Sequence, residues 1–377
     1  MILSTIFSII ACVDPFEIEY KIDTAVVIIE AVLSDEEGNQ FVLLKESRNS
    51  PSGKSTLIKP IQKAKVEIIV DQTTKIVYPE VKTDPGSYLA PNGFKAEPNK
   101  TYQLAVTLET GEIFTSKIEK LIKGSEIKKV YQQLEIKGKA GDKNYKVNHK
   151  IFLDTQDIPN TNNYYLWEWQ LYEAQDVCLT CEAGERYYPA PILGCIKDLP
   201  PALRGVIYDY ECYGGCWEIL HSTKINIMSD EFSKGNVIAA RAIADVPIYR
   251  LNRGALLEVK QQSINEETYQ YYKILSEQSD RSGGLADTPP VSLIGNISSK
   301  NNQIVAGYFR VTDESKYQHW VDRSDILGTD IKPVFLAGRT PNFEPASDDL
   351  LRPPLVECKN GYNRTNKKPI GWREFDN

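Results

Sequence analysis

The chain has 377 residues, 41% of them hydrophobic and 25% charged, enough for one large or two medium globular domains with buried cores. A formal net charge of −7 argues against a nucleic-acid or anionic-membrane footprint, and no apolar run is long enough to cross a bilayer as a helix. Tyrosine and proline stand at 21 each against 2 methionines, a balance that suits β-structure with long ordered loops.

The chain opens with "MILSTIFSIIACVDPFE". This apolar peg is too short for a membrane span and suits a signal-peptide core. Ile9-Ile10-Ala11-Cys12 has the apolar-x-small-Cys form of a bacterial lipobox, in which the thiol is acylated and the chain is cut on its N-terminal side. The n-region has no Lys or Arg, and the competing reading is a buried first strand with an ordinary cysteine. The lipobox reading makes 1–11 a lipoprotein signal peptide, Cys12 the lipidated residue and 12–23 a tether. Multiple acylation would hold such an anchor where one chain does not.

Residues 24–122 read as a first β-sandwich of immunoglobulin or fibronectin type. "TAVVIIEAVL" is a β-branched run, "SDEEGN" a turn and "QFVLLKE" the returning strand. "AKVEIIV", "KIVYPEV" and "TYQLAVTLETGEIFTSKI" continue the pattern, the last as two strands around Glu109-Thr110-Gly111. A turn signal every ten or so residues is the spacing of a sandwich. The acidic turn Asp35-Glu36-Glu37-Gly38-Asn39 lacks the alternating ligands of a calcium loop and reads as a solvated hairpin. "SGKST" lacks the first glycine of a phosphate-binding loop, since Arg48 stands there, and reads as another hairpin.

After the connector "IKGSEIKK", residues 123–377 read as a second β-domain, with strands at "YKVNHKIFLD", "NYYLWEWQLYE", "NVIAARAIA" and "GALLEVKQQ". It carries an insertion over 176–217 that holds Cys178, Cys181, Cys195, Cys212 and Cys216; Cys358 lies near the C-terminus. An even set in an exported chain favours disulfides, while C-x-x-C and C-x-x-x-C spacings also suit a zinc site or a redox pair. The expectation is disulfides, with no metal and no cofactor. The insertion is rich in aromatics, and tyrosine and tryptophan give large contact area at low entropic cost. Tyr187, Tyr188, Tyr213 and Trp217 are therefore expected to contact a partner or ligand, the alternative being a self-packed mini-core.

A helix is expected over 264–279, in "SINEETYQYYKILSEQS". Ser263 and Glu266 form an S-x-x-E capping box, Ile264, Thr268, Tyr271, Tyr272 and Leu275 fall on one face, and Gly283-Gly284 stops it. An amphipathic helix must bury one face, so the tyrosine stripe reads as packing before it reads as a ligand platform.

From this helix onward, "YQYYKILSEQSDRSGGLADTPPVSLIGNISS…VAGYFRV" resembles the C-terminal signature of family 4249 of the domains of unknown function, outer-membrane lipoproteins of the Bacteroidota. The lipobox, the early strand "VVIIEAVLSD", the "NYY" strand, the D-x-F-x-x-G segment "DEFSKG" and the closing "CKNGYNRTNKKPIGW" resemble the family too, in the same order. The family usually ends K-P-D-F-W, where this chain has KPIGW. No biochemical activity comes with the resemblance. It implies the company of SusC-like TonB-dependent transporters.

The search for catalysis is nearly empty. His149 sits on the apolar face of "YKVNHKIFL", His221 and His319 have no metal-binding company, and no G-x-S-x-G elbow is present. Carboxylates abound, but nothing in the sequence selects a glycosidase pair. The expected function is a non-enzymatic outer-membrane lipoprotein, an accessory or cargo-capture subunit of a SusC-like transporter, facing the periplasm or the cell surface and binding no nucleic acid. An exported hydrolase with its site in the second domain, or a structural or adhesive surface protein, is the alternative.

Overall fold

The computed structural model describes residues 25–38, 40–49, 56–138, 146–197, 205–249, 253–279, 293–327, 331, 334–336, 338–345 and 354–373. The lipobox with Cys12, most of the "SGKST" segment and the Gly283-Gly284 stop lie outside them. The described chain is mainly β with one α-helix, as its alternating patterning predicts.

The first turn folds β1 (Val26–Ser34) onto β2 (Phe41–Asn49), which pair antiparallel from Val26↔Ser47 to Val32↔Phe41. β3 (Thr56–Pro60) follows on the edge of β2. The opposing layer contains β4 (Lys65–Val70), β5 (Thr74–Tyr78), β7 (Thr101–Thr107), β8 (Ile113–Ser116) and β9 (Glu119–Lys120), while the short β6 (Ser87–Leu89) pairs with β2. Alternate side chains of the two layers, among them Ile29, Leu44, Ile68, Leu104 and Phe114, close the first core. Burying each such side chain contributes about 1.5–3 kcal/mol.

The second core lies between β10 (Ile127–Lys137), β11 (Lys146–Gln156) and β19 (Val237–Pro247) on one side and β12 (Tyr164–Ala174) and β20 (Ala255–Ile264) on the other. The cysteine-bearing insertion runs through β13 (Val177–Cys181), β14 (Glu185–Tyr188), β15 (Gly194–Lys197) and β16 (Tyr208–Tyr213), and β17 (Trp217–His221) returns it to the edge of β12. β18 (Asn226–Ser229) also pairs with β12.

One strand belongs to both sandwiches. After the helix α1 (Glu266–Ser279) and the short β21 (Ile297–Ser299), which extends the first domain's layer beside β8, comes β22 (Val305–Val321), 17 residues long. Its first half runs parallel to β1, from Val27↔Val305 to Ser34↔Thr312; its second half runs antiparallel to β20, from Ser263↔Asp313 to Ala255↔Val321. The result is a ten-stranded sheet continuous through both domains, completed at its far edge by β24 (Arg364–Thr365) beside β17, while β23 (Val356–Glu357) pairs with β16. The alternation of β22 never breaks register: Phe309 and Val311 enter the first core and Val321 the second.

The crossing is held by backbone-directed polar groups. Asn296 donates to the Phe309 carbonyl at 2.7 Å and accepts from the Phe309 N–H at 2.9 Å, standing in for a neighbouring strand. Its amide also donates to Glu119 at 2.7 Å, and the other Glu119 oxygen accepts from Asn265 at 2.6 Å. Asp35, expected in a solvated turn, instead accepts from the Glu314 N–H at 2.8 Å. Gly307 has φ +120°, and a Cβ there would lie inside the Ile29 carbonyl, so only glycine lets β22 approach β1.

The helix begins two residues later than its pattern suggests. β20 continues through Ile264, leaving Ser263 buried in a strand, and the cap is Asn265, whose side-chain oxygen accepts from the Thr268 N–H at 2.7 Å. The tyrosine stripe packs against the outer face of β22: Tyr271 lies 4.8 Å from Tyr308, centroid to centroid, and the Tyr272 hydroxyl accepts from Arg310. Arg310 is nearly fully buried and also reaches Gln262 and Glu168 at 3.1 and 3.0 Å, so its charge is paired as a buried charge must be. Gly307→Ala should lower stability by about 3 kcal/mol or more through a forbidden conformation and a backbone clash. Urea unfolding is the measurement; a variant as stable as wild type would refute the account of the seam.

Candidate functional site

The insertion packs around a small buried cluster in which cysteines outnumber every other residue type. Cys178 bonds Cys212, Cys181 bonds Cys195 and Cys216 bonds Cys358. Tyr210 and Val356 fill the space around them. The sulfurs of Cys178, Cys216 and Cys358 lie within 4.8 Å of one another, close enough to have suggested a metal, but each belongs to one of two adjacent disulfides.

The four aromatic residues expected to face a partner occupy different environments. Tyr187 is buried, its ring 5.5 Å from that of Tyr210, whose hydroxyl accepts from the Tyr187 N–H at 2.9 Å. Tyr188, next along the strand, is half-buried. Tyr213 is 68% exposed on the outside of the insertion. Trp217 meets the edge of Trp372, which in turn meets Trp320, at 5.8 and 5.2 Å between centroids. The closing KPIGW segment is thus a wedge: Trp372 is buried between two other tryptophans, and Gly371, at φ +84°, sits against Gln318 where a side chain would collide.

Polar groups fix the insertion further. Asp209, almost wholly buried, receives a two-pronged bond from Arg339, 2.7 Å on each side, and donations from Thr180 Oγ1 and the Asn342 N–H, both at 2.7 Å. Burial alone would raise the Asp209 carboxyl, but the Arg339 fork and the other donors outweigh it and hold the group below the usual carboxylate range. Beneath the insertion, Arg323 and Glu173 form a fully buried bidentate pair between the ends of β22 and β12.

A second site was not selected from the sequence. A groove of about 660 Å³ opens where the loop 160–162, the turn 229–234 and the helix meet, lined by Tyr164, Glu231, Lys234, Tyr269, Gln270 and Lys273 among others. The Tyr164 and Tyr269 rings lie 5.0 Å apart at 35°. Its walls are tied from below by a buried polar knot. Asp230 accepts from the Asn163 N–H and side-chain amide at 2.8 and 3.0 Å. Asp157, fully buried, accepts from Tyr165 at 2.6 Å, Asn163 at 3.2 Å and the Gly235 N–H at 2.7 Å. The "DEFSKG" and "NYY" segments are therefore one constellation. Asp230 and Gly235 lock a short turn whose middle residue, Phe232, is 92% exposed. Asn160 and Lys234 take the left-handed backbone of their turns, at φ +63° and +44°.

None of the histidines opens into this groove. His149 is fully buried with Nε2 3.0 Å from both Asp325 oxygens, His319 faces Gln132, and His221 stacks on Tyr362.

Residues 13–318 match the family described as Domain of unknown function (DUF4249). No curated protein matches the chain.

Two outcomes test the insertion. Reduction should open it while sparing the first sandwich, which has no cysteine; closing the Cys181–Cys195 loop alone contributes about 3 kcal/mol in the chain-entropy account. Amide exchange mapped before and after reduction reads this, and equal loss of protection in both sandwiches would contradict it. The lowered Asp209 pKa implies stability that is present above the unfolded value of about 3.9 and lost as pH falls through the folded one. Asp209→Asn should destabilise by about 1.5–3 kcal/mol at neutral pH and flatten the acid transition in near-ultraviolet circular dichroism. Identical acid titrations for variant and wild type would refute the role of the pair.

Proposed function

The chain belongs to the DUF4249 family, and from that premise we propose that it is an exported outer-membrane lipoprotein, a non-catalytic accessory or cargo-capture subunit of a SusC-like TonB-dependent transporter. The observation that carries this reading is the cysteine chemistry. All six cysteines among the described residues are paired in disulfides, the state expected of a chain that leaves the reducing cytosol.

The layout of β22 supports an anchored subunit that meets its partner far from the lipid. Seventeen residues at about 3.3 Å each extend roughly 55 Å. β1 begins beside its first residue, while the insertion leaves β12 beyond its last. A tether entering at β1 and the stapled insertion are therefore at opposite ends of the sheet. With Cys12 acylated, the insertion and its exposed Tyr213 point away from the membrane, toward a transporter or its cargo.

Replacing Cys12 by Ser should release the protein from the membrane fraction, read by fractionation in cells that lack the transporter so that no partner can retain it. A Cys12→Ser protein that still sediments with membranes there would defeat the anchor. Co-purification of the transporter with the wild-type chain, weakened several-fold by Tyr213→Ala, is the matching test for the partner.

A further inference from the structure

We infer that the groove between the 160–162 loop, the 229–234 turn and the helix binds a neutral oligosaccharide. A sugar ring presents a face of C–H groups and a rim of hydroxyls, each of which both donates and accepts. The groove offers the counterpart. The half-buried Tyr164–Tyr269 pair is an aromatic floor, and Asn160, Asn162 and Gln270 place exposed amides, donor and acceptor together, around it. Its volume, about 660 Å³, is in the range of ligand sites and would take a few sugar residues.

The charges narrow the class. Lys234 and Lys273 are set against Glu231 and the carboxylate of Asp230, so the lining has no excess of either sign to attract a polyanion or a polycation. An apolar ligand would leave those groups desolvated without partners. Hydroxyl groups satisfy both signs. The buried knot of Asp157, Asn163 and Asp230 fixes the two loops before any ligand arrives, which reduces the ordering that binding would otherwise require. Phe232, on the same turn as Glu231 and Lys234 but outside the groove's lining, is 92% exposed.

The inference rests on the proposed cargo role only for what the ligand is used for; binding itself is a property of the isolated protein. Titration calorimetry of the full-length detergent-solubilised chain with maltohexaose, cellohexaose, xylohexaose and mannohexaose tests it. Saturable binding of at least one is expected, unaffected by about 0.5 M salt because no ion pair carries it. Tyr269→Ala should weaken it about tenfold or more. Gln270→Ala, on the exposed face of the helix where folding is not at stake, should weaken it several-fold, while Tyr213→Ala should leave it unchanged. No binding of any of the four at about 10 mM, where even a millimolar site would be mostly filled, overturns the inference, as does binding that both groove variants leave intact. Saccharide binding by a chain whose Cys12→Ser form stays on membranes would sink the anchor and spare the groove. An anchored chain that binds none of the four would do the reverse.

Discussion

The two sandwiches depend on one shared ladder. β22 satisfies its backbone on β1 for half its length and on β20 for the rest, and neither core is complete without it. A backbone group left unpaired there would be buried and costly, which is why Asn296 turns both its amide oxygen and its amide nitrogen to Phe309; the backbones approach so closely that Gly307 and Gly295 have no room for a Cβ. The same geometry couples the domains. A substitution at the seam removes pairing from both sandwiches, so stability should not divide into two independent parts.

Away from the seam, position is set by polar groups more than by apolar ones. The groove stands on Asp157, Asn163 and Asp230, the insertion on Asp209 and Arg339, and the junction beneath the insertion on Arg323 and Glu173. Such groups add less net stability than an apolar core of the same volume, but they are directional and fix geometry that oily contacts would leave loose. The disulfides act differently, by restricting the unfolded insertion. The turn beside the groove and the insertion, which these devices hold in place, each carry an exposed aromatic residue, Phe232 and Tyr213.

The strands, the hairpins around Asp35 and Glu109, and the presence of the helix were legible because each depends on local periodicity and turn chemistry. The cap was misread because Ser263-x-x-Glu266 and Asn265-x-x-Thr268 compete within three residues, and only the continuation of β20 through Ile264 decides between them. Disulfide formation was legible from the even count, the pairing was not, since Cys216 finds Cys358 across a separation of 142 residues. Tyr187 and Tyr188 are indistinguishable by composition, and strand alternation buries one and not the other. The groove escaped notice because Asp157, Asn163 and Asp230 meet only in three dimensions. The "NYY" strand and the "DEFSKG" segment stand about 65 residues apart in the chain, and nothing local marks their contact. Nothing in the composition of Val305–Val321 announces that it serves two sheets.

The pairing of Val27 with Val305 also imposes a schedule. A chain that emerges N-terminus first into the compartment where it folds leaves an interval of 278 residues (305 − 27) between those partners. Throughout that interval β1 can pair with β2 on one side only, and its other edge is an apolar β-branched template open to any passing strand. A protein closed by the last long strand among its described residues therefore emerges as an unfinished sheet. Until β22 has emerged, with 56 residues still to follow it (377 − 321), that edge stays open to the wrong partner.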